Sequence, residues 1–262
     1  MKKIIALSIC ILFLFSACQK KSKIEDTTTS DSAEEISFVT SDGIKIYGDL
    51  YEIDKTSPVI LLFHQGGSNA RAEYGSIIPR LVGKGFNILA IDQRMGGQIY
   101  GNYNRTLTTI SDHSFGNPYT YCDAYNNLES ALNFIISSGF TGNKIVWGSS
   151  YSASLAIQLA SQNQDKINGV LAFSPASGGS MKNCLPDPYF ETLKVPLLLL
   201  RPPNEMRNEN VQAQFELAKV NGHQTYAAKY GVHGSSMLVS ERVGNDVSET
   251  WQVVTTFLEE IR

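Results

Sequence analysis

The sequence lacks a surplus of either charge: 22 Lys and Arg stand against 25 Asp and Glu, a formal net charge of −3. That balance offers no electrostatic basis for gripping nucleic acid. No period of roughly 20–50 residues recurs and no heptad run appears, which excludes a solenoid or a coiled coil. Glycine-rich dinucleotide motifs, phosphate loops and metal-ligand spacings are also missing, so the chemistry argued below calls for no cofactor and no metal. Cysteine is scarce. Of the four, Cys10 falls in the first apolar run and Cys18 just after it, leaving Cys122 and Cys184 for the folded part. In an exported protein these two could be bridged. Two buried free thiols fit the sequence as well, because sequence alone does not place their backbones within bridging distance.

What is present begins with Met1–Lys3, which supplies two positive charges, followed by the apolar run Ile4–Phe15 and the small residues Ser16 and Ala17. A basic start, an apolar core too short to span a membrane and a small-residue cleavage site describe an export signal. The tetrad FSAC, ending at Cys18, resembles the lipobox of bacterial lipoproteins, with Phe15 where leucine is usual. The resemblance implies cleavage before Cys18, lipidation of that cysteine and anchoring at a membrane of the cell envelope, periplasmic or outer. Several acyl chains on one residue make such an anchor stable where a single chain does not. The expected organisation is therefore a signal over 1–17, a lipidated cysteine and polar tether over 18–33, and one domain over 34–262. At 262 residues, 42% of them hydrophobic, the chain holds enough apolar material for one large core.

Ile36–Val39 and Ile44–Ile53 alternate apolar and polar residues around Ser41-Asp42-Gly43, which predicts an antiparallel hairpin. VILLFH after Pro58, FNILAID (Phe86–Asp92), Lys144–Gly148, Ile167–Phe173 and Val195–Leu200 are apolar on both faces, as buried parallel strands are. A further strand is expected at Gln224–Tyr230. Helical patterns lie between them at Ala72–Val82, Tyr121–Ser137, from the end of the third buried run to Ala160, and at Asn210–Val220, with a closing helix over Ser248–Glu259. Alternation of this kind predicts an α/β fold with a mostly parallel sheet covered on both faces. Ligands in such sheets gather at the carboxyl ends of the strands.

KIVWGSSYSASLA, Lys144–Ala156, sets four serines within six residues at the end of a buried strand. A nucleophile on a sharp strand-to-helix turn needs small residues two positions before and two after it. Ser149 would have Trp147 before it, and Ser152 and Ser154 lie too far into the helix. Ser150, between Gly148 and Ser152, meets the requirement. A base is offered by His233 in GVHGSSML, and an acid to orient it by Glu205 in RPPNE, just after VPLLLL; Asp187 is held in reserve, but it precedes that strand. Among the other histidines, His64 reads as a turn-shaping residue, His223 as exposed, and His113 as either a substrate contact or surface. Oxyanion donors are expected from the Tyr151 N–H and from HQGGSN after the first buried strand, at Gly66 or, failing that, Gln65.

With LLFHQGGSN, NILAIDQR, GSSYS, the acid-bearing loop and GVHGSS in place, the chain from about Ile36 onward resembles the α/β-hydrolases. Within them it is similar to the dienelactone-hydrolase-like and serine-esterase members. The resemblance implies Ser150 as nucleophile, His233 as general base, Glu205 as the orienting acid, and Tyr151 with Gly66 or Gln65 as oxyanion donors. It implies an acyl-enzyme route on a small-molecule ester, lactone or thioester. Four departures stand out: Ser152 replaces the last glycine of the G-x-S-x-G turn, His-Gln replaces His-Gly, the acid is Glu rather than Asp, and the nucleophile is serine where dienelactone hydrolases proper carry cysteine. A serine peptidase on the same fold is one alternative and a non-catalytic ligand-binding lipoprotein the other. Residues 93–120 form an unusually long loop, in which Tyr100, Tyr103, Phe115, Tyr119 and, just beyond, Tyr121 offer either a substrate wall or packing for stability.

Overall fold

The computed structural model describes residues 32–110 and 118–262. The expected export signal with Cys10, the expected lipidation site Cys18, nearly all of the expected tether, His113 and Phe115 lie outside the described residues.

Eight strands form one sheet in the order β1-β2-β4-β3-β5-β6-β7-β8. β1 (Glu34–Val39) and β2 (Lys45–Tyr51) are the antiparallel hairpin, and β2 pairs antiparallel with β4 (Asn87–Asp92). From there the sheet is parallel through β3 (Val59–Phe63), β5 (Lys144–Ser149), β6 (Gly169–Phe173), β7 (Leu197–Arg201) and β8 (Gln224–Ala227). Every residue of β3, β4, β6 and β7 is buried, which is why these strands read as unbroken apolar runs.

Alternate residues of each strand feed two separate cores. Leu61, Phe63, Val146, Val170 and Leu199 pack beneath α3 (Tyr125–Ser137), α4 (Tyr151–Gln162) and α5 (Glu209–Val220). Ile60, Leu62, Ile145, Trp147, Leu171 and Leu200 pack beneath α1 (Ala70–Tyr74), α2 (Ile78–Val82) and α7 (Ser248–Glu260). The period of two in the strands thus builds helix layers on both faces.

The helix expected over Ala72–Val82 is two helices. Gly75 closes α1, and Pro79 sits in the first turn of α2. Proline has no N–H to give to the Gly75 carbonyl, as a continuous helix would require, but it fits a first turn well. α6 (Ser240–Val243) was not expected from the sequence, and β8 ends earlier than the apolar pattern implied. Cys122 and Cys184 form a disulfide, with Cα atoms 5.8 Å apart, which settles the choice that sequence left open.

Two short stretches of the long loop are packed against the fold. Gln93, Arg94, Asn104, Arg105 and Thr106 are buried. Arg105 bridges Asp92 at 2.7 Å and Asp49 at 2.9 Å, pinning the loop to β4 and β2.

Candidate active site

The carboxyl ends of β3, β5, β6, β7 and β8 converge on one rim, and the candidate residues stand there. β5 runs straight into α4 through Ser150, whose φ of 61° and ψ of −124° lie where side chains are rarely held. The Ser150 N–H is tied to the Phe173 carbonyl at 2.8 Å. Gly148 makes the turn possible: a Cβ there would lie 2.3 Å from the Ser152 carbonyl oxygen and 2.5 Å from the Ala153 nitrogen. The other three serines are buried and engaged elsewhere. Ser149 Oγ accepts from the Ser235 N–H at 2.9 Å, Ser152 Oγ donates to the His64 carbonyl at 2.6 Å, and Ser154 Oγ accepts from the Ala176 N–H at 2.9 Å. Ser150 alone of the four lines a pocket of about 430 Å³, together with His233, Glu205, Arg201 and Ser174.

His233 follows β8 in a loop held from below. The Gly234 N–H donates to Ser174 Oγ at 3.0 Å, and Ser235 Oγ accepts from Trp147 Nε1 at 2.9 Å. Gly234 itself has φ 71°, and a Cβ on it would meet Ser149 Oγ at 2.3 Å, so only glycine fits after the histidine. His233 Nδ1 lies 2.6 Å from Glu205 Oε1, and the other Glu205 oxygen accepts from Arg201 Nη1 at 2.8 Å. Burial opposes ionisation of Glu205, but the hydrogen bond from His233 and the charge of Arg201 outweigh it and hold the carboxyl below its ordinary value. Arg201 ends β7, is 2% exposed, and also donates to Gln214 Oε1 at 2.5 Å and to the Pro175 carbonyl. Asp187, the reserve acid, accepts from Gln214 Nε2 at 2.9 Å, whereas Glu205 touches the histidine directly.

After β3 the chain makes the glycine-containing strap HQGGSN. Both nitrogens of His64 are engaged, Nδ1 with the Gln65 carbonyl at 2.8 Å and Nε2 with the Gln93 N–H at 2.9 Å. The ring is fully buried, and burial holds its pKa below the ordinary value, so it is a neutral turn-shaping group. Of the two amides considered for the second oxyanion donor, that of Gln65 is already given to Glu73 Oε2 at 2.7 Å. Gly66 lies against Tyr121, whose hydroxyl would be 2.8 Å from a Cβ at that position. Tyr151 opens α4, and its N–H is one of those a helix leaves without an internal acceptor. His223, expected to be exposed, is half-buried with Nε2 2.7 Å from the Phe190 carbonyl.

Three solved structures share this architecture. An esterase of Pyrococcus furiosus superposes with a TM-score of 0.63 at 19% identity, over 88% of this chain and 91% of its own. A thermostable carboxyl esterase from Bacillus coagulans gives 0.65 at 12% identity, over 88% and 99%. A dienelactone hydrolase from Anabaena variabilis gives 0.64 at 14%, again over 88% and 99%. The chain has the α/β-hydrolase fold. No family model matches it, and no curated protein matches it in sequence.

Within this fold, Ser150, Glu205 and His233 stand after β5, β7 and β8, and Gly66 after β3. Sequence reasoning missed Arg201, Ser174 and Glu73. Arg201 left a trace, a charge closing the otherwise apolar LLLLR. Ser174 left none, since its backbone with φ 52° and its bond to Gly234 belong to the folded chain. Of the loop aromatics, Tyr100 lies under the Arg242 guanidinium at 3.9 Å and Tyr119 under Arg94 at 4.8 Å, while Tyr103 is exposed. Tyr121 packs at a tilt on Tyr151 with ring centroids 4.7 Å apart, beside the HQGGSN strap.

Proposed function

We propose that this protein is a serine hydrolase that cleaves a carboxylic ester, lactone or thioester through an acyl-enzyme. One observation carries the reading: the His233–Glu205 pair, closed at 2.6 Å, lines the same pocket as a serine held at positive φ on a strand-to-helix turn. The Ser150 hydroxyl attacks the substrate carbonyl while His233 Nε2 takes its proton. Glu205 accepts from Nδ1–H, fixing the tautomer and stabilising the imidazolium. The tetrahedral oxyanion is received by the N–H groups of Gly66 and Tyr151, the latter at a helix N-terminus whose dipole favours negative charge. His233 then protonates the leaving group, and water, activated by the same imidazole, releases the acid. The names of the structural relatives, two esterases and a dienelactone hydrolase, agree with this chemistry.

The decisive experiment is a panel of acyl esters, thioesters and peptide amides run with wild type and Ser150→Ala, beside fluorophosphonate labelling. The wild type is expected to label and to turn over at least one ester, and Ser150→Ala to lose labelling and more than about 10³-fold in kcat. A wild type that neither labels nor hydrolyses sinks the proposal, and a labelled Ser150→Ala moves the nucleophile elsewhere.

The same proposal places the enzyme outside the cytoplasm, anchored through Cys18. Its support is the lipobox-like FSAC together with the Cys122–Cys184 disulfide, a bond that persists in oxidising compartments. Membrane fractionation of wild type and Cys18→Ser tests it. Retention of the variant in the membrane fraction would remove Cys18 as the anchor.

A further inference from the structure

Behind the strap lies a carboxyl that the steps above do not use. Glu73, on α1, is fully buried. Its Oε2 accepts the Gln65 N–H at 2.7 Å, while Oε1 has only the Ser149 hydroxyl to face and no other polar contact. Beside it stands the Ser149 hydroxyl, which itself receives the Ser235 N–H, and the vacant Cβ position of Gly234 lies 3.6 Å from Oε1. These neighbours have a pattern. Gln65 precedes Gly66, Ser149 precedes Ser150, and Gly234 follows His233, so the carboxyl adjoins the residue next to each of three site residues.

The charged and titratable groups around it come from four elements. Arg242 reaches over from α6 but spends its Nη1 on the Glu73 backbone carbonyl at 3.0 Å, not on the carboxylate. His233 faces it from the loop after β8, Tyr74 from α1 itself and Tyr151 from α4. Burial pushes the carboxyl up to about 7, against the pull of the Ser149 hydroxyl, the Gln65 N–H, Arg242 and His233. A buried carboxylate held by no more than one backbone N–H and one hydroxyl, with no cation on it, costs stability. A neutral amide of the same shape would hold the Gln65 N–H without that cost, which points to a use for the charge.

We propose that Glu73 is a positioning residue for the oxyanion strap: its carboxylate grips the Gln65 N–H and so orients the following Gly66 amide toward the oxyanion formed at Ser150. Charge-assisted bonds to a carboxylate are about twice as strong as neutral ones, so protonation of Glu73 loosens the strap. The inference rests on the hydrolase reading. It predicts that two ionisations, not one, govern the acid side of catalysis: His233 must be neutral to accept a proton, and Glu73 must be charged to hold the strap.

The test is the pH dependence of kcat/KM on the best ester of the panel. For wild type, the acid limb of log kcat/KM against pH should steepen toward a slope of 2. For Glu73→Gln it should fall back to 1, with kcat at the plateau lowered about 10-fold and KM within about 2-fold, a partial loss of an oxyanion donor. A purely structural Glu73 would leave the slope unchanged. A wild-type slope of 1, or a Glu73→Gln profile that overlays the wild type, overturns the inference while leaving the hydrolase reading intact. Should Glu73→Gln fail to fold, the wild-type slope decides alone. Absence of any ester turnover by the wild type would overturn both.

Discussion

Ser150 is held in a backbone conformation that costs a side-chain-bearing residue about 1–3 kcal/mol, and the surrounding structure sustains it. The Ser150 N–H bond to Phe173 and the close approach of Ser152 and Ala153 to Gly148 leave the chain no relaxed route from β5 into α4. Two substitutions separate strain from chemistry. Ser150→Ala removes the hydroxyl and keeps the strain, whereas Ser150→Gly removes both. Both should be inactive, and Ser150→Gly should be the more stable of the two by about 1 kcal/mol in urea unfolding, once glycine's extra chain entropy is set against the relieved strain. Equal stabilities would mean that the elbow carries no strain. The same scale shows what a linear sequence displays. Ser150, Glu205 and His233 were legible because each follows a strand and the chemistry demands its residue type. Arg201 left only its charge at the end of LLLLR, while Ser174 and Glu73 take their meaning from contacts that form in the folded chain, with Gly234 for the one and the Gln65 N–H for the other.

At the scale of elements, the buried strands were legible because burial on both faces leaves an unbroken apolar run, and their order along the chain fixed the fold class. The break between α1 and α2 was hidden because the apolar spacing continues across it from Tyr74 to Ile78, and the steric cue was Pro79 alone. The junction of β5 with α4 is where element packing and site meet. A methyl group on Gly148 would have to displace backbone atoms of α4 now 2.3–2.5 Å from its position, and backbone yields less readily than a side chain. Gly148→Ala should therefore lower stability by about 2–3 kcal/mol. On the proposed mechanism it should also cut kcat by at least about 10-fold, because α4 carries the Tyr151 amide proposed as oxyanion donor and its shift moves that amide against Ser150. Wild-type activity in a destabilised Gly148→Ala would show that α4 can move without disturbing the site.

Across the whole molecule, the Cys122–Cys184 bond ties the start of α3 to the segment leading into β7 and closes a loop of 62 residues. In the chain-entropy account such a loop is worth about 4 kcal/mol, so the double Cys→Ser variant should unfold at markedly lower urea while reduction of wild type brings it to the same midpoint. The balance of charge across the fold should also be visible in how stability changes with pH. Glu205, with its folded pKa lowered, adds stability above the ordinary carboxylate value, and that stability is lost as pH falls through the folded value. Glu73 runs the opposite way. Between its unfolded value of 4.5 and a folded value of about 7, the native state keeps a proton that the unfolded chain has released, so stability falls as pH rises across that window. Glu73→Gln has no such proton to lose. Its stability relative to wild type should climb by about 2.5 kcal/mol between pH 5 and pH 8, read from urea unfolding at each pH. A difference that stays flat over that range would mean that Glu73 is ionised throughout. Its burial would then cost the fold nothing that varies with pH, and the strap would be held equally firmly at pH 5 and pH 8.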